Sequence, residues 1–272
     1  MNPLSRALAD AAEKLRKTSD TAWLDAELLL AHALDIERDV LLLAPPTGPA
    51  PARFAELVAR RAEGEPIAYI TGKRAFWNIE LAVGPGALIP RPDSETLIAA
   101  AIGHFAGSDG PKRILDLGTG PGTLLLAALD QWPDATGLGI DASDEALGYA
   151  RANARRLGLA SRAELRLGNW ADGVDERFDL LLINPPYVAE QAELGPGVAE
   201  YEPAEALFAG PDGLDDYRRL APEIGRLIVS GGLAAIEIGH DQAESAAAFF
   251  TDEGHDVRLS YDLADRARAL LI

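Results

Sequence analysis

The chain has 272 residues, 48% of them hydrophobic, which is enough for one large or two ordinary domains. It contains no cysteine, which excludes disulfides, cysteine zinc sites, thiolate nucleophiles and cysteine-bound iron–sulfur clusters. The net charge is −18 and no basic track is visible, so we expect no direct nucleic-acid partner. The four histidines lack metal-ligand spacing, so no metal site is expected. The charged start and the lack of any segment of transmembrane length predict a cytoplasmic protein without membrane contact.

Residues 1–73 are predicted to form a small helical bundle. Apolar residues recur at spacings of three and four over 3–17, 21–34 and 50–63, and prolines separate the second stretch from the third. Acidic and basic side chains are nearly balanced here, and no pattern in this part suggests catalysis. We therefore expect an N-terminal domain that binds a partner.

Residues 74–90 are predicted to form a β-hairpin that links the two parts of the chain. Side chains alternate in polarity from Phe76 to Val83, and a Gly-Pro-Gly turn follows. Two prolines then disfavour helix until Asp93 or Ser94 can cap one that runs to about Phe105.

Residues 91–272 alternate between strand and helix patterns, which is typical of a doubly wound α/β sheet. Strands are expected at 113–117, 136–141, 163–167, 178–183, 232–238 and 255–260, with a closing apolar run at 267–272. Helices are expected at 122–130, 144–157, 215–229 and 242–252. Pro222 falls within the third of these and is expected to kink or divide it.

The most informative stretch is Asn184-Pro185-Pro186-Tyr187, which ends an apolar strand abruptly. Four aliphatic residues before it predict a strand buried on both faces, and the prolines stiffen the carboxyl end, where open α/β sheets bind ligands. The Asn184 side-chain oxygen and nearby main-chain carbonyls can accept from an NH₂ group, and the Tyr187 ring can support its planar carrier. Alternatively, Asn-Pro is simply a turn after a core strand.

A second motif follows strand 113–117 and reads Asp116-Leu117-Gly118-Thr119-Gly120-Pro121-Gly122. The glycines allow a tight turn and let a ligand lie against bare backbone. The spacing is not the dinucleotide pattern. Asp116 would repel pyrophosphate, whereas it suits a ligand with an ammonium and a sulfonium, such as S-adenosylmethionine. The alternative is a plain loop.

Two further strand ends carry polar or aromatic residues. Asp141 lies about twenty residues after the glycine motif, where a carboxylate can accept both ribose hydroxyls. The alternative is that it caps the next helix, for which Ser143 suffices. Asn169 can bond the adenine edge and Trp170 can pack on its face, although a tryptophan here is also typical of a core.

In this order, the motifs resemble those of class I S-adenosylmethionine-dependent methyltransferases that modify planar amide or amino nitrogens. A more specific resemblance, over nearly the whole chain, is to the release factor glutamine methyltransferases, the PrmC or HemK family. It is carried by the Asn-Pro-Pro-Tyr stretch and by Glu65–Gly72, Phe76-Trp77, Ile89–Glu95, Tyr201-Glu202-Pro203, Ala206-Leu207-Phe208 and Asp212-Gly213-Leu214. Pro121 departs from the family, which more often has a small or polar residue there.

The resemblance implies a Rossmann-like, mostly parallel seven-stranded sheet, an S-adenosylmethionine cofactor, and transfer to the glutamine of the Gly-Gly-Gln motif in peptide chain release factors. It assigns catalysis to Asn184, Pro185 and Tyr187. Substrate binding falls to these three with Pro186, and Asn184 also faces the cofactor. The remaining cofactor contacts are assigned to Asp116, Gly118, Thr119, Gly120, Pro121, Gly122, Asp141, Asn169 and Trp170.

Four competing interpretations remain open. A sister family that modifies a ribosomal-protein glutamine shares the tetrapeptide, but it typically reads Pro-Arg-Ser-Pro where this chain has Pro90-Arg91-Pro92-Asp93. A nucleic-acid amino-group methyltransferase would need a basic surface or a target-recognition domain. A non-catalytic adaptor conflicts with the intact motifs. A nicotinamide oxidoreductase conflicts with Asp116 and the glycine spacing.

Overall fold

A computed structural model describes residues 2–262 and 264–272. The chain divides into two compact units: the first contains the residues up to Lys73 together with Leu194–Tyr201, and the second contains Arg74–Glu193 and Glu202–Ile272. In the part of the chain that is described, no helix has both the length and the apolar character needed to cross a bilayer.

The first unit is helical. Its helices are α1 (Pro3–Leu15), α2 (Ala22–Leu34), α3 (Arg38–Leu43), α4 (Ala52–Ala62) and α5 (Ile67–Thr71), and Leu194–Tyr201 adds a helical turn at Val198–Tyr201. Leu15, Leu29 and Leu30 are at most 1% exposed and form the centre of its core. The sequence did not indicate α3 and α5, because helices of six and five residues are too short to show a helical period.

A two-stranded hairpin of β1 (Lys73–Phe76) and β2 (Ile79–Ala82) follows, and all of it except Lys73 belongs to the second unit. A short 3-10 helix, Pro92–Ser94, then leads into α6 (Glu95–His104). The predicted side-chain cap of α6 is wrong. Ser94 occupies the N-cap position but makes no capping hydrogen bond, because its hydroxyl bonds Asn184 instead. The Asp93 carboxylate pairs with Arg268.

The predicted mostly parallel seven-stranded sheet is confirmed. Its strands are β3 (Arg113–Leu117), β4 (Thr136–Asp141), β5 (Ala163–Leu167), β6 (Phe178–Ile183), β7 (Ile228–Glu237), β8 (Arg258–Tyr261) and β9 (Ala267–Leu271). They lie in the order β5-β4-β3-β6-β7-β9-β8, and β9 runs antiparallel to both of its neighbours. The centre of β6 is buried on both faces as predicted, since Leu180, Leu181, Leu182 and Ile183 are all 0% exposed.

Four helices follow the strands of the sheet: α7 (Thr123–Gln131), α8 (Asp144–Arg156), α9 (Asp215–Leu227) and α10 (Ala243–Asp252). Pro222 lies inside α9, which continues through it, so of the two expected outcomes, a kink or a division of the helix, the division does not occur. Ile224 and Leu227 of α9 are completely buried in the core cluster of the sheet, and this packing offsets the hydrogen bond that proline removes.

The strand order places a topological switch point between β3 and β6. From β3 the chain moves outward to β4 and β5, and it returns to the other side of β3 at β6 before continuing to β7. These five strands are parallel, so their carboxyl ends meet at one edge of the sheet. A ligand cleft is expected there.

Candidate active site

A cleft of about 580 Å³ lies at this edge, within the second unit. Most of the residues predicted from sequence line it: Asp116, Gly118, Thr119, Gly120, Pro121, Asp141, Asn169, Trp170, Asn184 and Pro186. Gly122, Pro185 and Tyr187 are not among its lining residues. The four strand-end motifs, separated by up to 70 positions in the chain, are thus brought to one cavity.

Asp116 supplies a buried carboxylate at the end of β3, with 1% of its surface exposed. Its Oδ2 accepts from the Thr119 hydroxyl at 2.6 Å and from the Leu125 main-chain N–H at 3.0 Å. Among the described residues, nothing donates to its Oδ1. Burial raises the pKa of Asp116 to about 7, against the effect of these hydrogen bonds, and the charge of Asp141 adds to the increase. An unpartnered buried carboxylate oxygen suits a cationic ligand group.

The glycine turn has one residue open to the cleft and one packed beneath it. Gly120 has φ +57°, and a Cβ on it would have no atom within 4 Å, so a side chain here would occupy cleft space. Gly122 has φ +87° and is the N-cap residue of α7, and a Cβ on it would lie 2.7 Å from Leu126. Gly122 therefore allows the helix to pack closely, while Gly120 leaves backbone free for a ligand.

Asp141 lies at the end of β4 and joins the glycine turn to α8. Its Oδ2 accepts from the Gly120 N–H at 2.7 Å and its Oδ1 from the Ser143 N–H at 2.9 Å. Burial raises the pKa of Asp141, and the backbone donors oppose that increase. Ser143 caps α8 by accepting from the Ala146 N–H at 3.1 Å, as expected. Since Asp141 is not the cap, and each of its oxygens keeps a second lone pair, it can still accept from a ligand.

Trp170 serves both the cleft and the core. Its six-membered ring lies 3.4 Å from the place that a Cβ on Gly118 would occupy, and the side chain also packs against the core cluster of the sheet. Its indole N–H bonds the Asp216 carboxylate, which lowers the pKa of Asp216 against a larger increase from burial. Asn169 beside it is exposed on the cleft wall. The indole can therefore be a rigid wall for a flat ligand.

Asn184 is half-buried at the end of β6, and its main-chain oxygen lies 3.8 Å from the same Gly118 Cβ position. Its side-chain Nδ2 donates to the Ser94 hydroxyl at 3.1 Å. No donor to Asn184 Oδ1 is found among the described residues. The carboxamide is thus held by one end, while its acceptor end remains available in the cleft.

Pro185 and Tyr187 support this corner from outside the cleft lining. Pro185 is buried. Tyr187 packs against the core, its main-chain oxygen accepts from Gln242 Nε2 at 3.0 Å, and its hydroxyl donates to Glu237 at 3.4 Å. Burial raises the pKa of Tyr187, so the phenol stays protonated at neutral pH. The predicted contact of its ring with a substrate amide stays a prediction.

Sequence reasoning assigned no role in the active site to several residues that line the cleft. Ser94, Arg91 and Asp216 all line it. Arg91 pairs with the buried Glu202 at 2.5 Å, and Glu202 also accepts from the Ile89 N–H at 3.0 Å. The segment that holds Arg91 and Ser94 carried part of the family resemblance, which is the only signal that pointed to it.

Two family models and several known proteins match this chain. The family described as "PrmC N-terminal domain" matches residues 6–72, and the family "Methyltransferase domain" matches residues 108–241. A release factor glutamine methyltransferase of Caulobacter vibrioides is 41% identical over 98% of this chain and 95% of its own length. One from Rhodospirillum rubrum is 43% identical over 91% of this chain and 77% of its own length.

The chain belongs to the release factor glutamine methyltransferase family. It is accordingly an enzyme that transfers methyl groups, and the resemblance seen in the sequence is confirmed. The fold is also found in methyltransferases of low sequence identity. A methyltransferase of Pyrococcus furiosus superposes with a TM-score of 0.54 over 80% of this chain and 97% of that one, at 18% identity, which is evidence for the fold alone.

Proposed function

We propose that this enzyme transfers a methyl group from S-adenosylmethionine to the side-chain amide nitrogen of the glutamine in the Gly-Gly-Gln motif of peptide chain release factors. The observation that carries the proposal is the Asn184 carboxamide, which lines the cleft, is tethered through Nδ2 and has no donor to its Oδ1 among the described residues. The names of the relatives support release factors as the substrate class.

The residues of the cleft fit the proposed cofactor. The unpartnered Oδ1 of Asp116 suits the ammonium of its methionine part, and the space above Gly120 admits a ligand against bare backbone. Asp141, Asn169 and Trp170 line the cleft; Asp141 is proposed to accept from the ribose hydroxyls, and Trp170 and Asn169 are proposed to contact the adenine. Gly118, Thr119 and Pro121 complete the loop, while Gly122 acts through the packing of α7. When bound, S-adenosylmethionine supplies an electrophilic methyl group on a sulfonium.

Asn184 and Pro185 are proposed to hold the glutamine amide. An amide nitrogen is a poor nucleophile because its lone pair is delocalised into the carbonyl. If Asn184 Oδ1 and the Pro185 carbonyl each accept one N–H, the nitrogen is fixed with one lobe directed into the cleft, and positive charge that develops on it meets two acceptors. Orientation of this kind contributes about 7 to 11 kcal/mol in favourable cases.

A dedicated base is not required by this arrangement. The N-protonated amide that forms on transfer is a strong acid and loses its proton to water. Pro186 lines the cleft beside Asn184 and is proposed to contact the substrate, and Tyr187 is proposed to support the amide plane. The rigidity of the two prolines keeps Asn184 and the Pro185 carbonyl in a fixed relation.

Residues 1–73 are proposed to bind the release factor, with 74–90 as a linker to the catalytic domain at 91–272. Several large apolar side chains are exposed in the first unit: Trp23 (52%), Val40 (46%), Leu42 (48%) and Leu43 (86%). They lie on α2 and α3, or at the end of α3, where exposed apolar groups are typical of a protein interface. This supports a protein partner for the domain.

The experiment is incubation of the purified chain with methyl-labelled S-adenosylmethionine and a release factor. We expect label on the wild-type release factor and none when its loop glutamine is replaced by glutamate. A ribosomal protein and tRNA are tested in parallel as alternative substrates. Label on either, with none on the release factor, would refute the proposal.

A further inference from the structure

The buried carboxylate of Glu237 takes no part in the function proposed above. It is the last residue of β7, is 1% exposed, and lies in the strand adjacent to the one that ends at Asn184. Its Oε1 accepts from the Tyr187 hydroxyl at 3.4 Å, and its Oε2 has no well-formed hydrogen bond to any residue that is described. A buried carboxylate with an incomplete set of partners is costly, so a reason for its presence is needed.

Four side chains from three segments of the chain influence this carboxylate. The Ser94 and Tyr187 hydroxyls and the charge of Arg268 lower its pKa, whereas the charge of Asp93 raises it. The Tyr217 hydroxyl bonds the main-chain oxygen of Glu237 at 3.1 Å rather than the carboxylate. Arg268 is engaged with Asp93 at 2.8 Å and with Asp262 at 3.1 Å. Desolvation is the largest influence, and the pKa of Glu237 is raised to about 7.

Ser94 connects Glu237 to the cleft. It is 1% exposed, its hydroxyl interacts with the Glu237 carboxylate, and its oxygen accepts from Asn184 Nδ2 at 3.1 Å. A hydroxyl has one hydrogen to donate. While Glu237 is ionised it can only accept, so the Ser94 hydrogen is drawn towards it and Ser94 offers Asn184 a lone pair. Asn184 must then turn its NH₂ towards Ser94 and its oxygen away.

The opposite orientation of the Asn184 amide disrupts the series of hydrogen bonds from Asn184 through Ser94 to Glu237. With Asn184 Oδ1 facing Ser94, the serine hydrogen would have to turn to Asn184, and the buried carboxylate would lose a donor. Tyr187 would remain its only hydroxyl partner among the described residues. The ionised carboxylate therefore selects one of two orientations that are nearly equal in shape.

We propose that Glu237, acting through Ser94, is a positioning residue that fixes the orientation of the Asn184 carboxamide and keeps its Oδ1 directed at the substrate amide. The inference rests on the proposed function, in which Asn184 Oδ1 captures the glutamine. Protonation of Glu237 reverses the direction of these hydrogen bonds. The carboxyl group then donates to Ser94, the serine hydrogen turns to Asn184, and the acceptor end of Asn184 is withdrawn from the cleft. Methyl transfer then slows as the pH falls.

The first test needs no substrate. The side-chain ¹⁵N–¹H₂ signals of Asn184, assigned by their absence in Asn184→Ala, report the hydrogen bond to Ser94. We expect these signals to move with an apparent pKa near 7 in the wild type, to be insensitive to pH in Glu237→Gln, and to shift towards free-amide positions in Ser94→Ala. Tyr217→Phe is the matched control, because it removes a buried hydroxyl that bonds the main-chain oxygen of Glu237 and the side-chain Oε1 of Gln242 rather than the Glu237 carboxylate. It should keep the wild-type titration.

The second test is kcat against pH from 6 to 9 at saturating cofactor, which removes effects of Asp116 and Asp141 on cofactor binding. The wild type and Tyr217→Phe should lose rate below about pH 7, and Glu237→Gln should show no acidic limb. Ser94→Ala should reduce kcat by roughly tenfold with unchanged cofactor affinity, since one orienting hydrogen bond is lost.

The two proposals fail in different ways. Asn184 signals that are the same in the wild type and Ser94→Ala, and that do not titrate, would overturn the positioning role even in an enzyme that methylates release factors. An acidic limb that persists in Glu237→Gln would overturn it as well. Signals that behave as expected in an enzyme without release-factor activity would refute the proposed function alone.

Discussion

Replacement of Asp116 by asparagine is expected to stabilise the chain increasingly as the pH rises. The pKa of this buried carboxyl is raised from 3.8 to about 7. A carboxyl group whose pKa is higher in the folded than in the unfolded state stabilises the fold fully when the pH is below the unfolded-state pKa. This contribution to the free energy of unfolding is lost as the pH rises through the folded-state pKa. With about 1.36 kcal/mol per pKa unit, the loss reaches about 4 kcal/mol above pH 7.

Asparagine is always neutral and does not incur this loss. Its oxygen can accept from Thr119 and Leu125 in place of Oδ2, while its NH₂ group would take the position of the unpartnered Oδ1. That buried donor has a cost of about 1 to 3 kcal/mol, but the cost does not depend on pH. The informative quantity is therefore the change in the stability difference with pH, which we calculate as about 2 kcal/mol between pH 5.5 and 8.

Urea unfolding of the wild type and Asp116→Asn at pH 5.5, 6.5, 7.5 and 8 measures this change. Tryptophan fluorescence is a suitable probe, because Trp77, Trp132 and Trp170 lie in the second unit and only Trp23 lies in the first. The range stays above the isoelectric point of about 4.6. A stability difference that is constant over this range would show that Asp116 is not held near neutrality, and the argument from its burial would be refuted.

The same variant separates stability from binding. Loss of the charge should weaken S-adenosylhomocysteine, which carries an ammonium, by about 10- to 100-fold in calorimetry, as for a hydrogen bond between charged groups. Methylthioadenosine lacks the amino-acid part and should bind the two proteins equally. An equal loss for both ligands would place Asp116 away from the ammonium.

Three other substitutions test the remaining roles. Asn184→Ala should abolish methyl transfer and leave cofactor affinity largely intact, and a comparable loss of both would mean that Asn184 is structural. Asp141→Ala should weaken cofactor binding by about tenfold in calorimetry, whereas unchanged affinity would remove it from the ribose. Gly122→Ala should lower the free energy of unfolding by about 1 to 3 kcal/mol, since its Cβ meets Leu126 at a positive φ; unchanged urea stability would contradict that assignment.

The sequence predicted the sheet well because each central strand carries its own signal. Leu180–Ile183 is a continuous aliphatic run that is buried on both faces, and the prolines after it mark its end without reference to the rest of the chain. Once several such ends are known to be parallel, the meeting of Asp116, Asp141 and Asn184 at one edge follows from topology alone. Local pattern and chain order were therefore sufficient for the backbone of the site.

Side-chain partners could not be predicted in the same way. Ser94, Asn184 and Glu237 are 90 and 53 positions apart in chain order, and no periodicity relates them. Ser94 immediately precedes a helix, so local chemistry favoured a cap, whereas the folded chain uses its hydroxyl for a distant amide. Which polar groups meet depends on the register of the strands and the depth of burial, and the local sequence determines neither of them.

Asp116 and Glu237 share a property that bears on the whole site. Each is 1% exposed, each has a pKa raised to about 7, and each keeps one oxygen without a hydrogen-bond donor among the described residues. By the sign of the shift, both destabilise the fold above neutral pH, so neither is explained by stability. They occupy the ends of β3 and β7, on the two sides of the strand that carries Asn184. A function is the remaining explanation. We propose that Asp116 binds the cationic group of the cofactor, and that Glu237 orients the Asn184 amide that holds the nucleophile.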